Sequence, residues 1–156
     1  MVIAVVFAAG EGKRLRPLTR NRPKAMLPVG GKPLLQHLLE AIHLCGIRRI
    51  VLLVGYKKEM VESYFGDGER IGLEIAYAVQ EPPLGTADAL RKASALVDDD
   101  FLLVYGDLWV KRGVIEKVLN EWQASGEMVL SAVRVSDARQ YGLVKADQDG
   151  YLLDIE

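Results

Sequence analysis

Residues 11–24, "EGKRLRPLTRNRPK", carry six cations (Lys13, Arg14, Arg16, Arg20, Arg22 and Lys24) against one acid, Glu11. Gly10 and Gly12 punctuate the start of the stretch. Glycine lets backbone N–H groups turn toward a ligand with no Cβ in the way, which is the usual basis of a phosphate cradle. Lys13, Arg14 and Lys24 could neutralise charge around such a ligand. A second polar feature, Asp107, ends the apolar run "FLLVYGD". Its carboxylate could hold a divalent cation that bridges to phosphate oxygens.

Each piece also has a plainer reading. Arg16, Arg20 and Arg22 read as half solvated surface, and Asp107 alone could be a helix N-cap. In "G-E-G-K-R-L" Leu15 stands where G-x-G-x-x-G needs its third glycine, and no acid follows a second strand at the expected distance. That argues against a dinucleotide-binding dehydrogenase. "GGKP" is not a P-loop, because Pro33 replaces the Ser/Thr and no strand leads directly into it. A glycine-rich loop alone is a weak signal; its combination with clustered cations and a strand-end carboxylate is a strong one.

The elements that must position these groups alternate along the chain. "VIAVVFA", "RRIVLLVG" and "FLLVYGD" are apolar without alternation, which suits parallel strands buried on both faces. "GLEIAYAVQ" alternates, and "MVLSAVRV" reads as a further strand. Between them "PLLQHLLEAIHLCG" sets Leu34, Leu35, Leu38, Leu39, Ile42 and Cys45 on one helical face, opened by Pro33 and closed by Gly46. "KKEMVESYF", "GTADALRKASALV" and "RGVIEKVLNEWQAS" are three more helices, and "YGLVKADQDGYLLDIE" is a hairpin turned at Asp149-Gly150. The order predicts a single α/β domain over 1–156: a Rossmann-like open, mostly parallel sheet with helices on both faces. Ligands of such sheets bind outside the carboxyl ends of the strands, where "AAGEGKR" and "YGD" both fall.

Composition narrows the function. The formal net charge of −1 hides an asymmetry: residues 1–60 hold eleven Lys/Arg and three Asp/Glu, residues 61–156 nine and eighteen. A basic half suggests an anionic ligand. Nucleic acid is disfavoured, since the cations sit in one loop without aromatic platforms, an RRM signature or paired zinc ligands. No apolar run approaches a membrane span, and "MVIAVV" lacks the marks of a signal peptide, so a cytoplasmic protein is expected. Cys45 is the only cysteine, which excludes an internal disulfide; it reads as a small buried hydrophobe. His37 and His43 read as solvated residues on the polar side of their helix.

"FAAGEGKRLRPLTRNRPKAMLPVGGKPLL" resembles the signature of the sugar-1-phosphate nucleotidyltransferases, roughly A-A/G-G-x-G-x-R-[LM]-x-P-L-T, then P-K, then L-P-[VI]-x-x-[KR]-P. "QEPPLGTA" resembles the family's nucleobase-reading Q-x-x-x-x-G-T segment, "VYGD" its metal-binding strand and "QYGLVKAD" its later Y-G-x-V strand. The resemblance implies that the backbone at Ala9, Gly10 and Gly12, with Gln80, Gly85 and Thr86, binds the nucleotide. It implies that Arg14 binds the triphosphate and that Lys24 holds the α-phosphate and the sugar phosphate together. Asp107 would bind Mg²⁺, and Gly142 would contact the sugar through its backbone. The reaction implied is attack of a sugar-1-phosphate oxygen on the α-phosphorus of an NTP, giving an NDP-sugar and pyrophosphate. UTP or dTTP is favoured as donor, with GTP the alternative, and a hexose-1-phosphate is the acceptor. A non-catalytic regulatory relative that binds sugar nucleotides is the competing reading. The family's downstream glutamate–lysine stretch and second metal ligand would lie past Glu156, so the chain reads as the N-terminal part of a catalytic domain. A homo-oligomer is expected.

Overall fold

The computed structural model of the chain describes residues 2–82, 85–137, 139 and 141–156. In chain order the elements are β1 (Ile3–Phe7), β2 (Pro28–Val29), β3 (Lys32–Pro33), α1 (Leu34–His43), β4 (Arg49–Val54), α2 (Lys58–Phe65), β5 (Glu74–Val79), α3 (Thr86–Ala93), β6 (Phe101–Tyr105), α4 (Arg112–Ser125), β7 (Val144–Ala146) and β8 (Leu152–Ile155). Two compact units divide them, Met1–Glu116 and Lys117–Glu156, and α4 runs across the boundary.

The first unit is built on a parallel sheet in the order β5-β4-β1-β6. β1 lies between β4 and β6, and its residues Ile3, Ala4, Val5 and Val6 are at most 1% exposed. A strand hydrogen-bonded on both edges and covered on both faces has no position for a polar side chain, which accounts for the unbroken "IAVVF". On one face Ile3, Val5, Val51, Leu53 and Ala78 pack with Ala89 and Ala93 of α3. α1 buries Leu35, Leu38, Leu39 and Ile42, and α2 buries Val61 and Phe65. Each such aliphatic side chain contributes ~1.5–3 kcal/mol by leaving water. β2 and β3 form a small antiparallel hairpin just before α1.

The second unit holds the antiparallel pair β7–β8, with Val144 opposite Ile155. Its turn places Gly150 at φ +91°, where the Asp149-Gly150 signal puts it and where a Cβ would be strained.

Three expectations need correction. Residues 128–135 form no strand, and Met128 and Val133 are 89% and 82% exposed. β-propensity expresses itself only when a neighbouring strand supplies hydrogen bonds and cross-strand contacts, and no described strand pairs with this segment. The two histidines are not simply solvated. His37 Nε2 lies 2.8 Å from the Val29 carbonyl and its ring stacks at 4.6 Å on Trp109. His43 packs beside Gly72, and its Nδ1 is buried without a hydrogen-bond partner. Cys45 is half-buried rather than buried, its Sγ 3.8 Å from the Arg112 carbonyl, and desolvation raises its thiol pKa. Pro83 and Leu84 of "QEPPLGTA" and Gln140 of "QYGLVKAD" lie outside the described residues.

Among the described residues β6 is an edge strand paired with β1 alone, and Phe101, Leu103 and Tyr105 along it are 43%, 41% and 47% exposed. Such an edge, with large apolar side chains beside it, favours pairing with another chain. Concentration-dependent self-association is therefore expected in light scattering, and Leu103→Lys should shift the distribution to smaller species. An unchanged distribution for Leu103→Lys would clear β6 of the contact.

Candidate functional site

The carboxyl ends of β1, β4, β5 and β6 deliver the candidate residues of the glycine loop, Gln80 and Asp107 to one edge of the sheet. Ala8 N–H donates to the Leu53 carbonyl at 2.8 Å, Gly106 N–H to Phe7 at 2.8 Å, and Gln80 N–H to Val54 at 2.8 Å. Glycines permit this crowding. A Cβ on Gly106 would sit 3.0 Å from the Phe7 carbonyl oxygen, and one on Gly55 would sit 3.0 Å from the Gln80 oxygen and 3.1 Å from Ala9 Cβ. The outcome is an ion pair between residues 83 apart in sequence: Lys24 Nζ lies 2.7 Å from Asp107 Oδ2. Both side chains are about one-third exposed (33% and 36%), so the pair stabilises the fold by at most ~1 kcal/mol. Its interest is chemical, because both groups keep access to solvent and to a ligand.

Residues 10 and 12 of the loop lie against Lys24. Gly12 takes φ +71°, opening a 3₁₀ turn over Lys13–Leu15. A Cβ there would come within 2.9 Å of Lys24 Cβ, so glycine is needed for conformation and for space. Gly10 differs: nothing lies within 4 Å of where its Cβ would be. Lys24 N–H approaches the Gly10 carbonyl at 3.4 Å and thereby holds the lysine under the loop. Among the described residues, no acceptor is bonded to the backbone N–H of Gly10, Glu11, Gly12, Lys13 or Arg14. Consecutive free donors of this kind form an anion-binding concavity.

The cations divide into two groups. Arg16 is bound through Nε and Nη2 to the Glu11 carboxylate, which holds the guanidinium pKa above its ordinary value. Its side chain is still 55% exposed, so it keeps the half solvated surface position that the sequence gave it, with Glu11 as its counter-charge. Arg14 is exposed with no ion-pair partner among the described residues, as are Lys13 and Arg20. Arg14 sits in the 3₁₀ turn beside the free N–H groups.

The segment expected to read the nucleobase starts at Gln80, directly after β5. Gln80 is 8% exposed and its Nε2 donates to the Gly85 carbonyl at 2.7 Å. An unengaged glutamine could offer a base both a donor and an acceptor; in the folded chain the donor is engaged within the loop and Oε1 is the group left. Gly85, at φ 98° and ψ 177°, leads into α3, which Thr86 begins. Sequence reasoning missed the charged trio Asp88, Arg91 and Lys92 beside this loop, of which Lys92 bonds it directly. Lys92 Nζ donates to the Glu81 carbonyl at 3.2 Å and lies 3.8 Å from Asp88 Oδ2. The Arg91 guanidinium, bonded to Asp88 Oδ1, holds that carboxyl below the usual carboxylate range, with the Lys92 charge acting in the same direction. Their i,i+3 and i,i+4 spacing in "GTADALRK" was the signal that could have found them.

Gly142 belongs to the second unit, beside Ile155 and the Glu156 carbonyl. The residues that the first unit brings to one edge are therefore Ala9, Gly10, Gly12, Arg14, Lys24, Gln80, Gly85, Thr86 and Asp107. Thr19 and Tyr56, which hydrogen-bond this loop from behind, were also missed.

The chain matches the family model described as nucleotidyl transferase over residues 3–156. It is 37% identical over 149 residues to a mannose-1-phosphate guanylyltransferase of Mycobacterium tuberculosis, covering 95% of this chain and 42% of the relative. It is 36% identical to the UTP–glucose-1-phosphate uridylyltransferase AglF of Haloferax volcanii, over 97% of this chain and 63% of that protein. A glucose-1-phosphate thymidylyltransferase of Streptomyces griseus is 37% identical, at 98% and 43% coverage. The chain thus spans roughly two-fifths to three-fifths of these relatives' lengths. Among solved structures, a Bacillus anthracis protein assigned as a glucose-1-phosphate thymidylyltransferase, in complex with a sucrose, superposes with a TM-score of 0.85 at 26% identity. That match covers 100% of this chain and 64% of the other. A UDP-glucose pyrophosphorylase complexed with UDP-glucose shares the fold, with a TM-score of 0.82 at 21% identity over 99% of this chain and 68% of that one.

The two loop glycines give a paired test. Gly12→Ala forces a Cβ against Lys24 in a left-handed conformation and should lower stability by ~1–2 kcal/mol. Gly10→Ala meets open space and should stay within about 0.5 kcal/mol of the parent. Thermal denaturation of both variants checks the contrast, and equal melting temperatures would contradict this loop conformation.

Proposed function

This chain belongs to the nucleotidyl transferase family, and we propose that it carries the nucleotide-binding part of an enzyme that transfers a nucleotidyl group from an NTP to a sugar-1-phosphate. The reaction joins a phosphate oxygen of the sugar-1-phosphate to the α-phosphorus of the NTP and breaks the α–β bridge, releasing pyrophosphate. The nucleophile is already an anion, so no side chain has to remove a proton. What remains is to align two anions that repel each other and to neutralise the charge that develops on the leaving group.

The observation that carries the reading is the Lys24–Asp107 pair lying under a loop of free N–H groups. Those N–H groups with Arg14 would take the β- and γ-phosphates, where charge accumulates as pyrophosphate departs. Lys24, once its ammonium exchanges Asp107 for phosphate oxygens, would draw the α-phosphate and the sugar phosphate together. Gly142 would meet the sugar through its backbone.

Mg²⁺ fits the donor set. No group of three or more His, Cys, Asp or Glu able to hold a metal occurs among the described residues. Mg²⁺ is suited to one or two carboxylates completed by substrate phosphates and water, not to an all-protein cage. Asp107 would hold it, and the ion would neutralise phosphate charge.

The Oε1 acceptor left on Gln80 suits the N3–H of a uracil or thymine ring and equally the N1–H of guanine; UTP or dTTP is taken as the favoured donor with GTP as the alternative, and the acceptor is a hexose-1-phosphate. Relatives named for uridylyl, thymidylyl and guanylyl transfer match at 36–37% identity, so base choice rests on side chains rather than on overall likeness. The reading places the protein in the cytoplasm; no helix among the described residues is long and apolar enough to cross a membrane.

Pyrophosphate release across a panel of NTPs and hexose-1-phosphates tests the reaction. Arg14→Ala and Lys24→Ala should each lower turnover by roughly 100-fold or more while melting temperatures stay within a few degrees of the parent. Near-parental turnover in either variant would exclude that residue from phosphate binding in the reaction. For Asp107→Asn, Mg²⁺-dependent turnover should disappear while NTP affinity changes by less than about tenfold, ~1.4 kcal/mol. Retained activity would leave Asp107 with its Lys24 ion pair alone, since no helix starts at Asp107 for it to cap. Binding of sugar nucleotides without turnover on any pair would favour the non-catalytic relative.

A further inference from the structure

We propose that Thr19 and Tyr56 are positioning residues that aim the loop's free N–H groups at the triphosphate; the inference rests on the phosphate-binding reading of that loop. Thr19 is completely buried, 0% exposed, in a loop whose neighbouring residues are mostly exposed. Its Oγ1 donates to the Gly12 carbonyl at 2.9 Å, and Leu15 N–H donates to the same oxygen at 2.8 Å. In a trans peptide the C=O of one residue and the N–H of the next point in opposite directions. Pinning the Gly12 carbonyl toward Thr19 therefore turns the Lys13 N–H the other way, toward the open side of the loop. The Gly10 carbonyl, held by Lys24 N–H at 3.4 Å, orients the Glu11 N–H by the same geometry. Two donors of the loop thus take their direction from acceptors fixed on the opposite side.

Tyr56 fixes the element that does the pinning. Its hydroxyl lies 2.7 Å from the Arg20 carbonyl and 3.4 Å from the Thr19 carbonyl, while its backbone N–H donates to Ala9 at 3.2 Å. One residue, anchored to the end of β4, thus grips the loop at both ends, residue 9 and residues 19–20. The preceding Gly55 has no Cβ and packs against Ala9 and the Gln80 carbonyl, so the same two residues brace the phosphate loop and the start of the base-reading segment. Neither side chain needs to touch substrate.

Thr19→Val keeps the shape and removes the hydroxyl, Thr19→Ser restores the hydroxyl, and Tyr56→Phe removes only the phenolic oxygen. Calorimetric titration with inorganic tripolyphosphate reads the loop directly, and steady-state kinetics read it in the reaction. Thr19→Val and Tyr56→Phe should weaken tripolyphosphate binding and lower kcat/KM for NTP by roughly 10- to 100-fold, with KM for the sugar phosphate unchanged. Thr19→Ser should recover most of the parental values. Parental binding and kinetics in folded Tyr56→Phe overturn the proposal, as does a Thr19→Ser loss equal to that of Thr19→Val. Should Thr19→Val fail to fold, the Ser and Phe variants still decide. A parent that binds tripolyphosphate but transfers no nucleotide to any acceptor refutes the reaction and leaves the loop assignment to the titrations. A parent that binds no tripolyphosphate overturns both.

Discussion

The central strand is the constraint on which the rest depends. β1 is hydrogen-bonded on both edges and buried on both faces, so it is among the segments least free to move. Its carboxyl end is where the glycine-rich basic loop begins. A loop of exposed glycines and cations has little core of its own to fix it, and the cost of ordering such backbone runs at ~1–2 kcal/mol per residue. Attachment to β1, and through Ala8, Phe7 and Ala9 to the ends of β4 and β6 and to Tyr56, supplies an order that the loop's composition could not.

From that anchor the chemistry follows as placement. Asp107 and Lys24 come from different crossovers and meet because β1 and β6 run parallel and in register, with Gly106 letting the chains approach. The pair resolves an electrostatic conflict. A basic loop without ligand would repel itself, and a lone carboxylate at a strand end would have no counter-charge; together they are matched at little cost in solvent exposure. Arriving phosphate would compete for the lysine, and a cation would compete for the aspartate. The partly exposed ion pair is thus strong enough to preserve the geometry and weak enough to yield it.

The fold was legible where burial is all-or-none. Unbroken apolar runs gave β1 and β4, and the spacing of Leu35, Leu38, Leu39 and Ile42 gave α1, because these residues have no alternative to the core. The 128–135 segment misled because its β-branched composition describes a preference that only a partner strand can realise. In the site, the cradle, Lys24 and Asp107 could be nominated from residue types, since charge beside glycine at a strand end has few structural uses. Their 2.7 Å separation could not be read from the sequence, because nothing in residues 24 and 107 encodes strand register.

Thr19 and Tyr56 were illegible for a different reason. Each acts through the backbone of another segment, and a hydroxyl that bonds a carbonyl looks, in sequence, like any other threonine or tyrosine. Their distinguishing marks are the complete burial of Thr19 and, for the half-buried Tyr56, a carbonyl partner thirty-six residues away. The division has a physical basis. Groups that meet a ligand must be exposed and charged, so composition betrays them. Groups that orient peptide planes can be neutral and partly or wholly buried, so that they hold a carbonyl without competing for the phosphate. In a loop that offers backbone donors to a ligand, the carbonyls have to be satisfied on the far side, and any residue that satisfies them governs donor direction without entering the site.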